Sequence, residues 1–309
     1  MARRIARGLL ALAVVACVGA AVAGDWLRDD WPDWPTHLPP QAQRWLAALQ
    51  PEPDWRQLPQ GDWLAQVRQR GSLVVAVRAY QRPAPPEAPT PPEPDNFDAG
   101  LARFIAQKIG VGIQLVGLTP AASGKGYATP TEAVDLVIAG AEVQVGTIST
   151  VPTAYTAGPA RLVVLRGSAI HTAADLRQRS VCLQRGSSHA RMLAEHYGAV
   201  PRPYASGVHA VYAFMGGECD VLAEDAALVE RLATRPEWRF YRSLPEQVPA
   251  DHSRPQLALT GADAASTAFV DDVVRYWRAS GALLAAREQR VGDVSFELIQ
   301  LEDGLICHG

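Results

Sequence analysis

From residue 71 onward, short apolar runs alternate with stretches whose apolar residues recur at helical spacing. Leu73-Val74-Val75-Ala76-Val77 is a continuous apolar run, suited to a strand buried on both faces. Residues 81–96 hold seven Pro and read as an extended loop that cannot form helix. Asp98 is placed to cap a helix running to about Ile109; Leu101, Ala102, Ile105 and Ile109 share its face, and Gly110 stops it. Strands are predicted at 111–115 and 133–139. The pattern then restarts near Arg161, with a strand at 162–165 and a short helix at 173–177 capped by Thr172. A strand at 180–183 ends at Gly186-Ser187-Ser188, and a helix follows to about Tyr197. Then come a helix at 208–215 and strands at 219–223 and 256–259. Last is a helix at 264–279 with Phe269, Val270, Val273 and Trp277 on its apolar side. Two α/β units joined by crossings predict two lobes around a cleft, a common place for a ligand.

The first 70 residues have another texture. Arg3, Arg4 and Arg7 precede an uncharged stretch from Gly8 to Gly24, rich in Leu, Ala and Val. A basic start followed by a short apolar run has the form of an export signal. Its end admits three readings. Ala21-Val22-Ala23 suits cleavage before Gly24. Val14-Val15-Ala16-Cys17 suits lipidation of Cys17, although the usual Leu is missing. An uncleaved anchor ranks third, because the run is shorter than the roughly 20 apolar residues of a spanning helix. Residues 25–70 then hold six of the eight Trp, interrupted by Pro, with short helices predicted at 41–49 and 62–70. Exposed indole rings are costly. This extension therefore either wraps the first lobe, the favoured reading, or docks a partner or the membrane surface.

Composition narrows the function. A formal charge of −3 argues against broad nucleic-acid binding. There is no Gly-x-Ser-x-Gly, no phosphate-binding Gly-x-x-x-x-Gly-Lys and no His-Glu-x-x-His. His189 beside Ser188 invites a nucleophile–base pairing, but neighbours at a helix start point in different directions. No Cys-x-x-Cys or paired His points to a metal, and nothing calls for a cofactor.

Six segments, in order, resemble the family 3 bacterial extracellular solute-binding proteins. These are the periplasmic, amino-acid-binding components of ABC transporters, built on the periplasmic binding protein type 2 fold. The segments are the opening strand at Gly71–Val77, Asn96-Phe97-Asp98-Ala99-Gly100-Leu101-Ala102, and Val134-Asp135-Leu136-Val137-Ile138-Ala139-Gly140. Val151-Pro152-Thr153-Ala154-Tyr155 follows, then Ala174-Asp175-Leu176 with Val181–Ser187, and Gly217-Glu218-Cys219-Asp220 running to Asp225. The resemblance implies an α/β, two-lobed fold with hinge crossings. The division would be a signal at 1–24, the Trp/Pro-rich extension at 25–70, lobe 1 at 71–160 plus 254–309, and lobe 2 at 161–253. It implies a non-catalytic periplasmic protein that captures an amino acid, amine or organic acid for an inner-membrane permease or sensor. The membrane would be touched only through an anchor or lipid at the N-terminus. A dehydratase-like enzyme on the same fold is one alternative. A degenerate module acting through protein partners is the other.

The resemblance also suggests the ligand contacts. Asp225 stands where the family holds the ligand's ammonium group, Ser187 and Ser188 offer hydroxyls to a carboxylate, Tyr80 offers an aromatic wall, and Glu142 a polar contact at the hinge. Helix capping is the alternative for the serines, and a solvated acid, with Glu224 beside it, for Asp225. The family's carboxylate-clamping Arg is missing from 142–148. Arg78 or Arg82 are candidates to replace it, with a surface role the alternative for each. Some of the family's receptors carry Cys where Cys182 and Cys219 stand; a disulfide is the implied pairing, and two buried thiols the alternative. Cys307 is left over.

Overall fold

The computed structural model describes residues 40–84, 90–121, 126–128, 130, 132–140, 148–156 and 158–306. The export segment with Cys17, the indoles Trp26, Trp31 and Trp34, the candidate Glu142 and Cys307 lie outside the described residues.

Two sheets carry the chain. The first contains β1 (Ser72–Gln81), β2 (Pro92–Pro94), β3 (Gly112–Leu118), β4 (Leu136–Ile138), β5 (Ile148–Thr150) and β11 (Leu257–Thr260). Its order is β2-β1-β4-β11-β5, and β3 also pairs with β1. The second contains β6 (Ala160–Leu165), β7 (Ser180–Gln184), β8 (Val200–Tyr204), β9 (Val221–Asp225) and β10 (Tyr241–Val248), in the order β10-β6-β9-β7-β8. The chain leaves the first sheet after β5 and returns to it at β11. These are the two hinge crossings of a two-lobed α/β fold.

Prolines mark the edges of both sheets. β2 lies in the Pro-rich segment read as loop, yet it pairs antiparallel with the end of β1, Tyr80 opposite Glu93. Pro donates no ladder hydrogen bond and is confined to such edges. β8, with Pro201 and Pro203, pairs parallel to β7 as the other sheet's edge. It had no apolar run to announce it.

Helices cover the sheets. α1 spans Pro40–Ala48 and α2 Asp62–Arg70. α3 spans Asn96–Ile109, with Asp95 as its N-cap, accepting from the N–H groups of Phe97 and Asp98. Asp98 is therefore not the cap; it sits in the first turn, buried. α4 (Ala190–Glu195), α5 (Gly207–Met215) and α6 (Ala226–Ala233) serve the second sheet. α7 (Ala264–Ala279) serves the first, and α8 (Ala282–Ile306) ends the described chain.

The first lobe's core joins Leu64 and Val67 of α2, Leu73 and Val75 of β1, Leu101 and Ile105 of α3, and Phe269, Val273 and Trp277 of α7. Each such aliphatic or aromatic side chain contributes roughly 1.5–3 kcal/mol on burial. Trp55 and Trp63 are buried in the same cluster, and the Trp55 ring meets Phe269 and Tyr276 edge-on. Residues 55–67 of the extension thus pack on the first lobe, whereas Trp45 of α1 stays 52% exposed, against the expectation that the indoles pack away. Asp263, the N-cap of α7, also accepts the Trp63 N–H and ties α2 to α7.

β7 and β9 are parallel neighbours, Cys182 opposite Leu222. Cys182 of β7 forms a disulfide with Cys219, which lies two residues before β9 and not in a strand as predicted.

α8 belongs to both lobes. Gly281, at φ 81°, turns the chain out of α7 in a left-handed conformation that favours glycine. Leu283 then packs in the first lobe's core, and Val294 and Leu298 pack in the second lobe's core with Val208, Phe214 and Leu222. Helix spacing puts Arg287, Arg290, Val294, Glu297 and Leu301 on one stripe.

Candidate functional site

The lobes meet where strand ends converge. Gly140, after β4, and Gly186, after β7, both have positive φ and touch backbone to backbone. A Cβ on Gly140 would lie 2.2 Å from the Gly186 carbonyl oxygen, so a side chain there would part the lobes. Two polar contacts flank this point. Gln184 Nε2 donates to Asp95 Oδ2 at 3.2 Å, and Arg78 Nη1 donates to the Arg185 carbonyl at 3.1 Å.

Arg78 is buried at 5% exposure, which rules out the surface role. Its guanidinium forks onto Asp98, Nε to Oδ2 at 2.6 Å and Nη2 to Oδ1 at 2.7 Å. Tyr155 donates its hydroxyl to the same carboxylate at 2.7 Å. Burial alone would push the Arg78 pKa down, but the Asp98 carboxylate outweighs it and holds Arg78 well above the ordinary value. The group stays charged, and Asp98 takes its fork. Arg82 is also drawn inward, where it pairs with Glu297 of α8 and lies over the Tyr80 ring at 4.3 Å.

Tyr80 faces the other lobe: its ring meets His209 edge-on at 6.0 Å. Its hydroxyl donates to Glu297 at 3.1 Å. Burial raises the phenol's pKa, with the carboxylates of Asp95 and Glu297 adding to it, so the hydroxyl remains a donor.

On the second lobe, Glu224 and Asp225 close β9, and both carboxylates are occupied by α8. Arg290 forks onto Glu224, with Nη1 to Oε1 and Nη2 to Oε2 each at 3.0 Å. The same Nη2 reaches Gln184 Oε1 at 3.1 Å. Arg287 places Nε and Nη2 on Asp225 Oδ2, at 2.9 and 2.6 Å. Burial would raise the Asp225 pKa, but Arg287 and Arg290 outweigh it and hold the group below the usual carboxylate range. Asp225 also caps α6 through the Ala227 N–H. Glu224 is buried at 7% exposure, and Asp225 is half-buried with its carboxylate paired to Arg287.

The two serines sit beside this pair. α4 starts at Ala190 with His189 as its N-cap, so neither serine holds the cap position. Ser187 Oγ lies 3.2 Å from His189 Nδ1, and His189 Nε2 lies 3.2 Å from the Gly158 carbonyl. Burial holds the imidazole pKa below its usual value. Its second nitrogen meets a carbonyl rather than a carboxylate, so the pair lacks the orienting acid of a nucleophile–base constellation. The Ser188 carbonyl accepts the Asp251 N–H at 2.8 Å. Among the described residues no group of three or more His, Cys, Asp or Glu is arranged to hold a metal ion.

Tyr80, Ser187, Ser188 and Asp225 all lie along the junction of the lobes, and Arg78 lies just behind it. Sequence reasoning missed α8. Its Arg287, Arg290, Asp293 and Glu297 meet Asp225, Glu224, Asn96 and Tyr80 in turn, the third through a 2.8 Å contact from Asn96. The three- and four-residue spacing of those charges was the available signal.

No family model matches the chain, and no curated protein matches it. Solved structures do. An amino acid ABC transporter substrate-binding protein from Streptococcus pneumoniae, bound to L-arginine, aligns with a TM-score of 0.52 at 16% identity, covering 75% of this chain and 98% of its own. A mutant of ArgBP from T. maritima aligns with a TM-score of 0.48 at 18% identity, covering 74% of this chain and 98% of its own. The first of these alignments, together with the two sheets and two crossings, establishes the architecture: the chain has the two-lobed α/β fold of amino-acid ABC transporter substrate-binding proteins.

Proposed function

We propose that this chain is an exported, non-catalytic receptor that holds a small cationic solute between its lobes and presents it to an inner-membrane permease or sensor. One observation carries the reading. Two adjacent carboxylates, the buried Glu224 and the half-buried Asp225, close β9 at the lobe junction, with Gln184 as a third acceptor, and the groups they hold are guanidiniums. Buried carboxylates need a cationic partner, and the planar fork of a guanidinium suits them best. A cationic solute would take the positions that the Arg287 and Arg290 guanidiniums hold on these two acids. The basic-then-apolar start of the chain and the Cys182–Cys219 disulfide support export to an oxidising compartment. The His189 pairing with a backbone carbonyl supports a binding role over catalysis.

The second reading, a module that binds no solute, has its own support: Arg287 and Arg290 of α8 already fill the carboxylates. A thermal-shift screen of the mature protein against amino acids, amines and organic acids separates the two. L-arginine is the first probe, since the similar Streptococcus pneumoniae protein is bound to it. A ligand at 100 times its Kd stabilises by about 2.7 kcal/mol. The receptor reading expects cationic solutes to raise Tm. No shift with any solute at millimolar concentration would sink it.

A further inference from the structure

We propose that α8 is a self-ligand of the cleft: Arg287 and Arg290 hold the lobes shut from within, and a cation entering the site must displace them. The proposal rests on the reading of Glu224, Asp225 and Gln184 as a cation site.

The helix is matched to the cleft along its whole charged stripe. Arg290 and Arg287 satisfy the two acids of the second lobe, each with two guanidinium hydrogen bonds. Seven residues past Arg290, Glu297 takes Tyr80 and Arg82 of the first lobe. Asp293 takes Asn96, beside the Asp95 cap that already reaches Gln184. Gln184 thus joins Asp95 of one lobe to Arg290 of α8. One helix neutralises both walls, as a bound zwitterionic solute would.

The space for the guanidiniums is built in. A Cβ on Gly207, at the start of α5, would lie 2.7 Å from Arg290 Nη2 and 3.0 Å from Glu224 Oε2. A Cβ on Gly158, in the crossing before β6, would lie 3.1 Å from Arg287 Nη2. Both glycines leave a slot that the arginine heads fill. The means of withdrawal is present too. Gly281 is a left-handed turn between α7 and α8, and Gly292 lies inside the continuous α8, between its arginines and the Val294–Leu298 contact with the second lobe. Glycine inside a helix weakens it.

Self-occupancy lowers apparent affinity by the fraction of molecules with the site open. If α8 fills the site in 99 of 100 molecules, removing its arginines raises apparent affinity roughly 100-fold. The test compares wild type with Arg287→Ala/Arg290→Ala and with Arg287→Lys/Arg290→Lys. The Lys variant keeps both charges but loses the fork. The helix itself is kept, because deleting it would strip Val294 and Leu298 from the second lobe's core. L-arginine and methylguanidine are titrated by calorimetry, and the radius of gyration is measured by small-angle scattering without ligand. The expected result is tighter binding by the Ala variant, at least 10-fold, with a larger ligand-free radius and the Lys variant between. Equal affinities with equal radii overturn the self-ligand and leave the receptor reading standing. A larger radius with no binding of either probe upholds the internal latch and removes the receptor reading. Equal radii with no binding overturn both.

Discussion

Replacing Arg78 by Met separates a structural ion pair from a ligand contact. Asp98 is fully buried, and Arg78 supplies two of the three side-chain hydrogen bonds to its carboxylate, at 2.6 and 2.7 Å, leaving only the Tyr155 hydroxyl. Removing one member of a buried pair leaves an uncompensated charge and costs about 3–5 kcal/mol. The Arg78 contact with the Arg185 carbonyl is lost as well, so the upper half of that range applies. For the first lobe melting as one unit of about 150–250 residues each kcal/mol shifts Tm by roughly 2–4 °C, so the ligand-free variant's lobe should melt about 8–20 °C below wild type. The cost should shrink in acid, where Asp98 can neutralise itself by binding a proton. Urea unfolding followed by Trp fluorescence reports on the right lobe, since Trp55, Trp63 and Trp277 share its core. The double variant Arg78→Met/Asp98→Leu should recover most of the loss, because an apolar pair can replace a buried ion pair at little cost. A single variant within about 1 kcal/mol of wild type, combined with weakened solute binding, would refute this reasoning and make Arg78 a ligand anchor.

Two further outcomes follow from the second lobe. The disulfide closes a loop with a sequence separation of 37, which on the chain-entropy model contributes roughly 4 kcal/mol; Cys182→Ser/Cys219→Ser should lower the urea midpoint accordingly, and equal midpoints with and without reductant would contradict it. His189, held below its usual pKa by burial, faces the Gly158 carbonyl, the carboxylates of Glu224 and Asp225, and His252. Its unfolded form binds a proton first, so stability is full above the ordinary imidazole value of about 6.5 and declines as pH falls below it. His189→Gln should flatten that decline below about pH 6.5; an unchanged slope would place the titration elsewhere.

Much of the fold was legible because its elements are locally consistent. α2 and α7 run over the residues their apolar spacing predicts, 62–70 and 264–279. The apolar runs at 73–77, 162–165 and 180–183 lie within buried strands. The misreadings came from residues whose partners are distant. Asp98 resembled a cap because it precedes an apolar stripe, but Asp95 holds that place and Asp98 answers Arg78, 20 residues away. β2 and β8 carry Pro where strand signals are sought, and only their edge positions explain them. α6 and β10 also went unread; β10 alternates in burial, but Arg242 and Glu246 share the inward face with Leu244 and Val248, and Pro245 stands between them.

α8 is the instructive omission, because the property that hid it is the property that gives it a role. A helix is recognised by an apolar stripe, and the inward stripe of α8 is interrupted by Arg287, Arg290 and Glu297. In an isolated sequence those charges belong on a solvated face. Here they are spent on Asp225, Glu224 and Tyr80, residues 62, 66 and 217 positions away. The expectation that Asp225 meets a cationic group came from the resemblance of its strand end to the family's, not from the residue's own surroundings. Which cation it holds depended on a helix whose charges make sense only once the lobes exist. An inward charge on an otherwise amphipathic helix therefore points to a buried counter-charge elsewhere, and in a two-lobed fold the junction is where such a counter-charge can be both desolvated and reached. On that logic Arg287 and Arg290 pin α8 to the acids of the second lobe, and Asp293 and Glu297 pin it to Asn96, Tyr80 and Arg82 of the first. Reversing one end alone, with Glu297→Lys, should set a cation against Arg82 and loosen the helix at the Tyr80 end while leaving the Arg290 fork in place.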